Sequence, residues 1–369
     1  MRSMNSILEE VTGQKQTVTV RRWFDRHLHL REGPMLKTVL PSTLRQQATG
    51  AVIMGNLPIP TSSIKIASVY LKEILMTREH FCSQQEPGFI GHGFNPRMTC
   101  YLTDEITPEE VVGGFQQGVW CGVKMYLAGK EGGTTNSHHG VKNLKGRYSV
   151  FEAMEKHNIP LLGHFEAVEE DVDEFDREAV SCERHLVPIV RNFPSLPIVV
   201  EHVTDGRMAD YVAGFHGKVY ATVTAHHLMI NRNEMFSGGM NPGHYCKPVP
   251  KRESHRLRIR KHVTLGDPRF GAGTDSAPHD EEAKSRCYGC AAGIFTAPHA
   301  VELYTTVFDE DNALEHLGPF LSENFVHIYG MKKSDEMMTI ERKSRQIPQK
   351  IGNVQVFMGG QTLPWTLVS

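Results

Sequence analysis

The sequence has almost no excess of charge: 40 Lys and Arg against 42 Asp and Glu leave a formal net charge of −2. Without a one-signed field, neither nucleic acid nor an acidic membrane surface is expected as a partner. Long apolar runs are missing, and no window approaches the ~18 residues a membrane helix needs. The opening MRSMNSILEEVTGQKQ lacks an apolar stretch and carries Glu9 and Glu10, so it does not read as a secretory signal. Cysteines are few, seven in 369 residues, and scattered. An odd, dispersed set in a chain long enough to build its own core argues against a disulfide framework and for a reduced, cytoplasmic setting. Cys287 and Cys290, in CYGC, have the spacing of a metal or redox pair, but no second pair matches them. They read as a turn with two free thiols. Linkers and low-complexity segments are also lacking, so residues 1–369 are expected to form a single domain.

What the chain does have is a rhythm. Short apolar, β-rich runs end in polar residues, and helical patterns separate most of them. TVTVRRWFDRHLHL is the first run and GAVIMGN, ending at Asn56, the second. RMTCYLT and GVWCGVKMYL follow, the latter with Lys124; IPLLGHFE contains His164 and LPIVVEHV contains His202. KVYATVTAHHL ends at His226 and His227, and RFGAGTDSAPH supplies Asp275 and His279. Between them, SIKIASVYLKEILMTREH, VFEAMEKHN and CERHLVPIVRN place apolar residues at three- and four-residue spacing, the helical period. Eight strands alternating with helices predict a (β/α)8 TIM barrel of class α/β, with its site at the C-terminal strand ends. The barrel is expected over about residues 20–335, and the tail over about 345–369 as a short hairpin.

In an extended strand, residues i and i+2 share a face about 6.6 Å apart, so His27 and His29 can converge on one ion. A lone His-x-His pair is weak evidence. His164, His202 and Asp275 strengthen it, because a barrel would aim all of them at the same mouth. Singly, each has a bland alternative: a satisfied core histidine, or an aspartate capping a helix. Lys124 ends an apolar strand, where an ammonium is costly unless paired or neutralised. It is either a lysine whose head reaches water, or a desolvated amine that can take up carbon dioxide as a carbamate and bridge two metals.

Taken together, HLHLREG, KMYLAG, TTNSHHGV, LLGHFE, VVEHVT, TAHHLMINRN, YCKP and GTDSAPH resemble the short, monofunctional (class II) dihydroorotases of the amidohydrolase superfamily. The likeness runs in order through nearly the whole chain. It implies reversible cyclisation of N-carbamoyl-L-aspartate to L-dihydroorotate in pyrimidine biosynthesis. It also implies two Zn²⁺ per chain, His27, His29 and Asp275 holding the more buried ion and His164 and His202 the more exposed one. N6-carboxylated Lys124 and a hydroxide would bridge them. Arg31 and Asn56, helped by His279, would grip the substrate carboxylate, and His29 and His164 would also face the substrate. The backbone at Lys247 and Ala292 would read the ring amide edges. Thr134 and Thr135 would lie on a closing loop, Asp275 would shuttle the proton, and a homodimer is the family expectation. Gly55 and Leu127 stand where the family usually has proline, so looser turns are expected there.

Two other readings stay open at this point. A hydantoinase-like or dihydropyrimidinase-like enzyme would need a β-sandwich built from long flanks, whereas 26 residues precede His27. A non-catalytic scaffold of the same fold would be expected to have lost ligands, and here all six are present.

Overall fold

The computed structural model describes residues 16–85, 89–128, 138–286 and 288–368. Eight parallel strands follow one another around a barrel: β2 (Phe24–Leu28), β3 (Gly50–Ile53), β4 (Asn95–Tyr101), β5 (Gly122–Tyr126), β6 (Leu161–His164), β7 (Ile198–Val200), β8 (Val219–Val223) and β9 (Phe270–Ala272). Each pairs with the next in sequence, as right-handed β–α–β units require. Beyond β9 the chain returns to the first barrel strand. The Asp275 N–H donates to the His27 carbonyl at 2.9 Å and the His29 N–H to the Ser276 carbonyl at 3.2 Å. The bonds that join the two ends of the sheet are therefore made by the histidine pair and the aspartate.

Local chemistry sets the helices. In α1 (Gly33–Arg45) a proline stands in the first turn, where no N–H is missed. Ser63 caps α2 (Ile64–Cys82) by accepting from the Ile66 N–H, and Thr107 caps α3 (Pro108–Gln116). The stretch expected to be helical at 182–192 is helical throughout, but Cys182–Leu186 widens into a π turn before Val187–Asn192, whose first turn holds Pro188. A proline cannot supply the N–H that a continuous α-helix needs there.

The first apolar run also divides. Thr17–Arg21 forms β1, outside the barrel, and pairs antiparallel with β10 (Met337–Glu341). The terminal strand β11 (Thr366–Val368) pairs with the other edge of β10, giving a three-stranded sheet. Within the tail, Arg345–Gln346 pairs with Thr362–Leu363, and Lys350–Ile351 with Val354–Gln355.

Side chains alternate along each strand, so inward positions recur every two residues. Leu162 and Val199 are register partners in one apolar cluster with Val52, Met54 and Cys121, closed by Phe325, Val326 and Tyr329. Burial of each large apolar side chain contributes about 1.5–3 kcal/mol. Two residues further along the same strands, the positions become His164 and Glu201, both buried. The barrel thus has an apolar floor and a polar mouth.

Candidate metal centre

All six sequence-identified ligand candidates come together at that mouth, and all are buried. His27 lies in β2 and His29 just beyond it, Lys124 is in β5, and His164 ends β6. His202 and Asp275 follow β7 and β9 by two and three residues. Nε2 of His27 lies 3.2 Å from Nε2 of His29 and 3.3 Å from Oδ1 of Asp275, and His29 Nε2 is 3.0 Å from the same oxygen. His164 Nδ1 and His202 Nε2 are 3.1 Å apart.

The outer nitrogens explain these inner contacts. His164 Nε2 is 2.6 Å from Glu166 Oε2, which assigns the proton to Nε2 and leaves a lone pair on Nδ1. His27 Nδ1 is 3.1 Å from Glu201 Oε2, close enough for an ion pair though not aligned as a hydrogen bond. That carboxylate favours the proton on Nδ1 and a lone pair on Nε2. Lone pairs of imidazoles and a carboxylate are thus turned toward one another, an arrangement that calls for a cation. Ligands of a tetrahedral ion at about 2.0–2.1 Å stand roughly 3.3 Å apart, matching these spacings. A histidine backed by a carboxylate is also the usual way to fix a metal ligand.

Electrostatics agree. Burial lowers the pKa of His29 to about 4 and also lowers His164 and His202, so these imidazoles are neutral and free to ligate. For His27, burial is outweighed by the Glu201 and Asp275 carboxylates, which take it up to about 9. An imidazole with carboxylates on both sides sits where positive charge is stabilised. Burial would raise Asp275, but the imidazoles of His27 and His29 beside it hold it well below the usual range.

Lys124 is completely buried; its ammonium meets Glu201 and lies 4.7 Å from the centre of the Tyr126 ring. Burial lowers its pKa against the opposing pull of Glu201. His27 and Lys124 overcome burial at Glu201 and take it down to about 2. His27, Glu201 and His202 are also close enough to share an ion. Glu201 is, however, engaged by Lys124 and faces the outer nitrogen of His27, so the set of His27, His29 and Asp275 is the better ligand group. Glu166 and Glu201 were not singled out from sequence. Their signal was a carboxylate two places after His164 and one before His202.

The backbone is strained at this mouth: Arg31, His202 and Asp275 have φ of 59°, 44° and 43°. Each left-handed non-glycine residue costs about 1–2 kcal/mol, and such positions gather at functional sites.

A cavity is lined by His29, Arg31, Asn56, Tyr126, His164, His202, Lys247, Asp275, Ala277, Ala292 and Gly293. Arg31 Nε donates to the Pro278 carbonyl at 3.1 Å, and Asn56 Oδ1 is buried without a hydrogen-bond partner among the described residues. His279 Nε2 stands 3.1 Å from Arg31 Nη2 and 2.9 Å from the Ala292 carbonyl. One nitrogen serves only one of them, since the first is a donor and the second an acceptor. The Lys247 side chain turns to Glu174. Thr134, Thr135 and Cys287 lie outside the described residues. A wider cavity of ≈ 780 Å³, lined by Leu127, Ala128, Val141, Glu169 and His185 among others, holds none of the convergent ligands. The turns at Gly55 and Leu127 are pinned rather than loose. Thr61 N–H bonds the Gly55 carbonyl at 3.0 Å, and Val141 bonds both Tyr126 and Ala128, at 2.8 and 3.0 Å.

Candidate metal ligands raised on the ends of separate strands of one parallel barrel match the arrangement of the amidohydrolases, and comparison with known proteins narrows the class. No family model matches the sequence. A curated dihydroorotase from Synechococcus sp. (strain CC9902) is 43% identical over 343 residues, covering 93% of this chain and 96% of its own length. The crystal structure of Saccharomyces cerevisiae dihydroorotase in complex with 5-fluoroorotic acid superposes with a TM-score of 0.85 at 29% identity, covering 96% of this chain and 98% of that one. The chain belongs to the dihydroorotase family. An L-hydantoinase from Arthrobacter aurescens, with a TM-score of 0.76 at 13% identity over 96% of this chain and 84% of its own, shares the fold alone. Among the described residues no helix is long and apolar enough to cross a membrane.

Proposed function

We propose that this chain is a dihydroorotase that interconverts N-carbamoyl-L-aspartate and L-dihydroorotate in pyrimidine biosynthesis, using two zinc ions bridged by N6-carboxylated Lys124. The observation that carries this is the convergence of ring nitrogens of His27, His29, His164 and His202 with Asp275, next to Arg31. His27, His29 and Asp275 would hold one ion, His164 and His202 the other. Bound ions would polarise the ring carbonyl and make a water acidic enough to attack near neutral pH.

The chain's own residues do the rest. A desolvated Lys124 amine adds to carbon dioxide, forming a carbon–nitrogen bond and losing a proton. The carbamate keeps one N–H, which Glu201 is placed to accept. The guanidinium of Arg31 offers a planar fork to the substrate carboxylate, with Asn56 and His279 beside it. The main chain at Lys247 and Ala292 meets the ring amide edge. Asp275 takes the proton of the attacking water and delivers it to the ring nitrogen as the carbon–nitrogen bond breaks. Ring closure reverses each transfer. The yeast relative's 5-fluoroorotic acid, a planar ring acid, supports this substrate class. We place the enzyme in the cytoplasm as a homodimer, without nucleic-acid or membrane partners, as the near-zero net charge supports.

Rate–pH profiles in both directions test the reading. Hydrolysis should rise with pH, because the attacking water must lose a proton while Asp275 is ionised, and cyclisation should be favoured toward acid. Asp275→Asn should remove both limbs together, since one group serves both directions. Either direction persisting near the parental rate would reassign the proton shuttle, with His279 the next candidate.

A further inference from the structure

Lys284, on the short helix Glu281–Ser285, is buried and has no part in the chemistry above. Its ammonium donates to three main-chain carbonyls: Tyr245 at 2.9 Å, Ala291 at 3.0 Å and Gly293 at 2.8 Å. An ammonium has three N–H donors, so these acceptors use all of them. The carbonyls belong to two segments far apart in sequence, and each segment presents a cavity-lining residue: Lys247 two places after Tyr245, and Ala292 between the two anchored carbonyls. The segments are also joined directly, because the Gly293 N–H donates to the Tyr245 carbonyl at 2.9 Å. Gly293 itself has φ +149°, and a Cβ there would meet the Ala277 carbonyl oxygen at 2.4 Å. Only glycine lets the strand of chain carrying Ala292 lie this close to the cavity wall.

We propose that Lys284 is a positioning residue for the substrate: its ammonium staples residues 245–247 to 291–293, so that the main chain at Lys247 and Ala292 meets the ring amide edge in fixed geometry. This rests on the proposed function, since the ring is that of dihydroorotate. An apolar side chain could hold two loops together at less cost than a buried ammonium. Three charge-assisted bonds do something packing does not, fixing the direction in which each carbonyl and its neighbouring N–H point. Burial lowers the Lys284 pKa to about 8, which still leaves the ammonium the major form at neutral pH.

The test is Lys284→Met in the full-length, metal-loaded enzyme. It removes the donors and nearly keeps the length. Backbone contacts to the ring hold substrate and transition state alike, so their loss should raise KM while kcat changes little. Misplacement of such contacts typically costs up to about a hundredfold; we expect a roughly ten- to hundredfold rise in the dihydroorotate KM, a matching rise in the Kd of 5-fluoroorotate measured by calorimetry, and unchanged metal content. KM and 5-fluoroorotate Kd at parental values, with only the thermal midpoint lowered, would overturn the proposal and leave Lys284 a packing residue. If Lys284→Met does not fold, Lys284→Gln retains two donors and is held to the same two outcomes. Turnover of dihydroorotate by the parent is measured first; its absence would overturn the functional reading instead, so the two failures are distinct.

Discussion

Arg26 and His27 are neighbours in β2 and both are completely buried, but their polar atoms are met in opposite ways. The Arg26 guanidinium serves the floor of the barrel. Its nitrogens donate to the carbonyls of Asn324 (2.7 and 3.0 Å), Leu321 (3.0 Å), Phe24 (3.2 Å), Ala272 and Phe320 (both 3.3 Å). It also lies 5.0 Å from the centre of the Phe325 ring. His27 serves the mouth, where its inner nitrogen faces another imidazole and a carboxylate. Burial lowers the pKa of Arg26 to about 10, whereas carboxylates raise that of His27 to about 9. A buried polar group whose donors all find carbonyls is architecture. One whose acceptors face other acceptors marks a place for a cation.

The comparison can be broken most severely at Lys124. Lys124→Ala should lower kcat/KM on the order of a thousandfold or more, because residues of one catalytic unit fail together. Added short-chain carboxylates should restore part of it by standing in for the carbamate. Lys124→Arg should stay inactive, since a guanidinium remains charged and cannot be carboxylated. Arg31→Met comes next: leaving the substrate carboxylate unpaired at a desolvated site should cost about 2–5 kcal/mol, roughly thirty- to several-thousand-fold in kcat/KM. Metal content should not change. Parental affinity in that variant would weaken the substrate assignment sharply.

Glu166→Gln should act through His164, lowering metal affinity about ten- to a hundredfold in a competition titration with a chelator. Turnover at saturating metal should recover. The smallest effect on turnover is expected from the floor. Arg26→Met should leave kcat/KM per folded molecule within about twofold of parent. Chemical denaturation should nevertheless show a loss of about 3–5 kcal/mol, as buried carbonyls lose their charged partner. A fall in metal content in that variant would erase the distinction between floor and mouth.

The mouth was legible because each ligand interrupts or ends an apolar β run, and a parallel barrel collects strand ends. His27, His29, Lys124, His164, His202 and Asp275 stood out on that ground as candidates, and the family resemblance set them apart as a ligand group from Asn56, His226, His227 and His279, which end such runs too. The second layer was not. Glu166 and Glu201 look like ordinary polar residues in HFE and EHV, and their role depends on which imidazole each meets across the barrel. Lys284 sits in EEAKS, a stretch that reads as a solvated helix, and only the fold brings Tyr245 and Gly293 to its ammonium. The break between β1 and β2 was hidden for the same reason. TVTVRRWFDRHLHL reads as one β-rich run, but the partner of its first half lies more than 300 residues away, in β10.

Metal content per chain, measured alongside dihydroorotate turnover before and after chelation, tests most directly whether the lone pairs at the mouth await cations. The account predicts about two zinc ions per chain, loss of activity with the chelator and its return with zinc. A metal-free protein that turns over dihydroorotate at the full rate would contradict it.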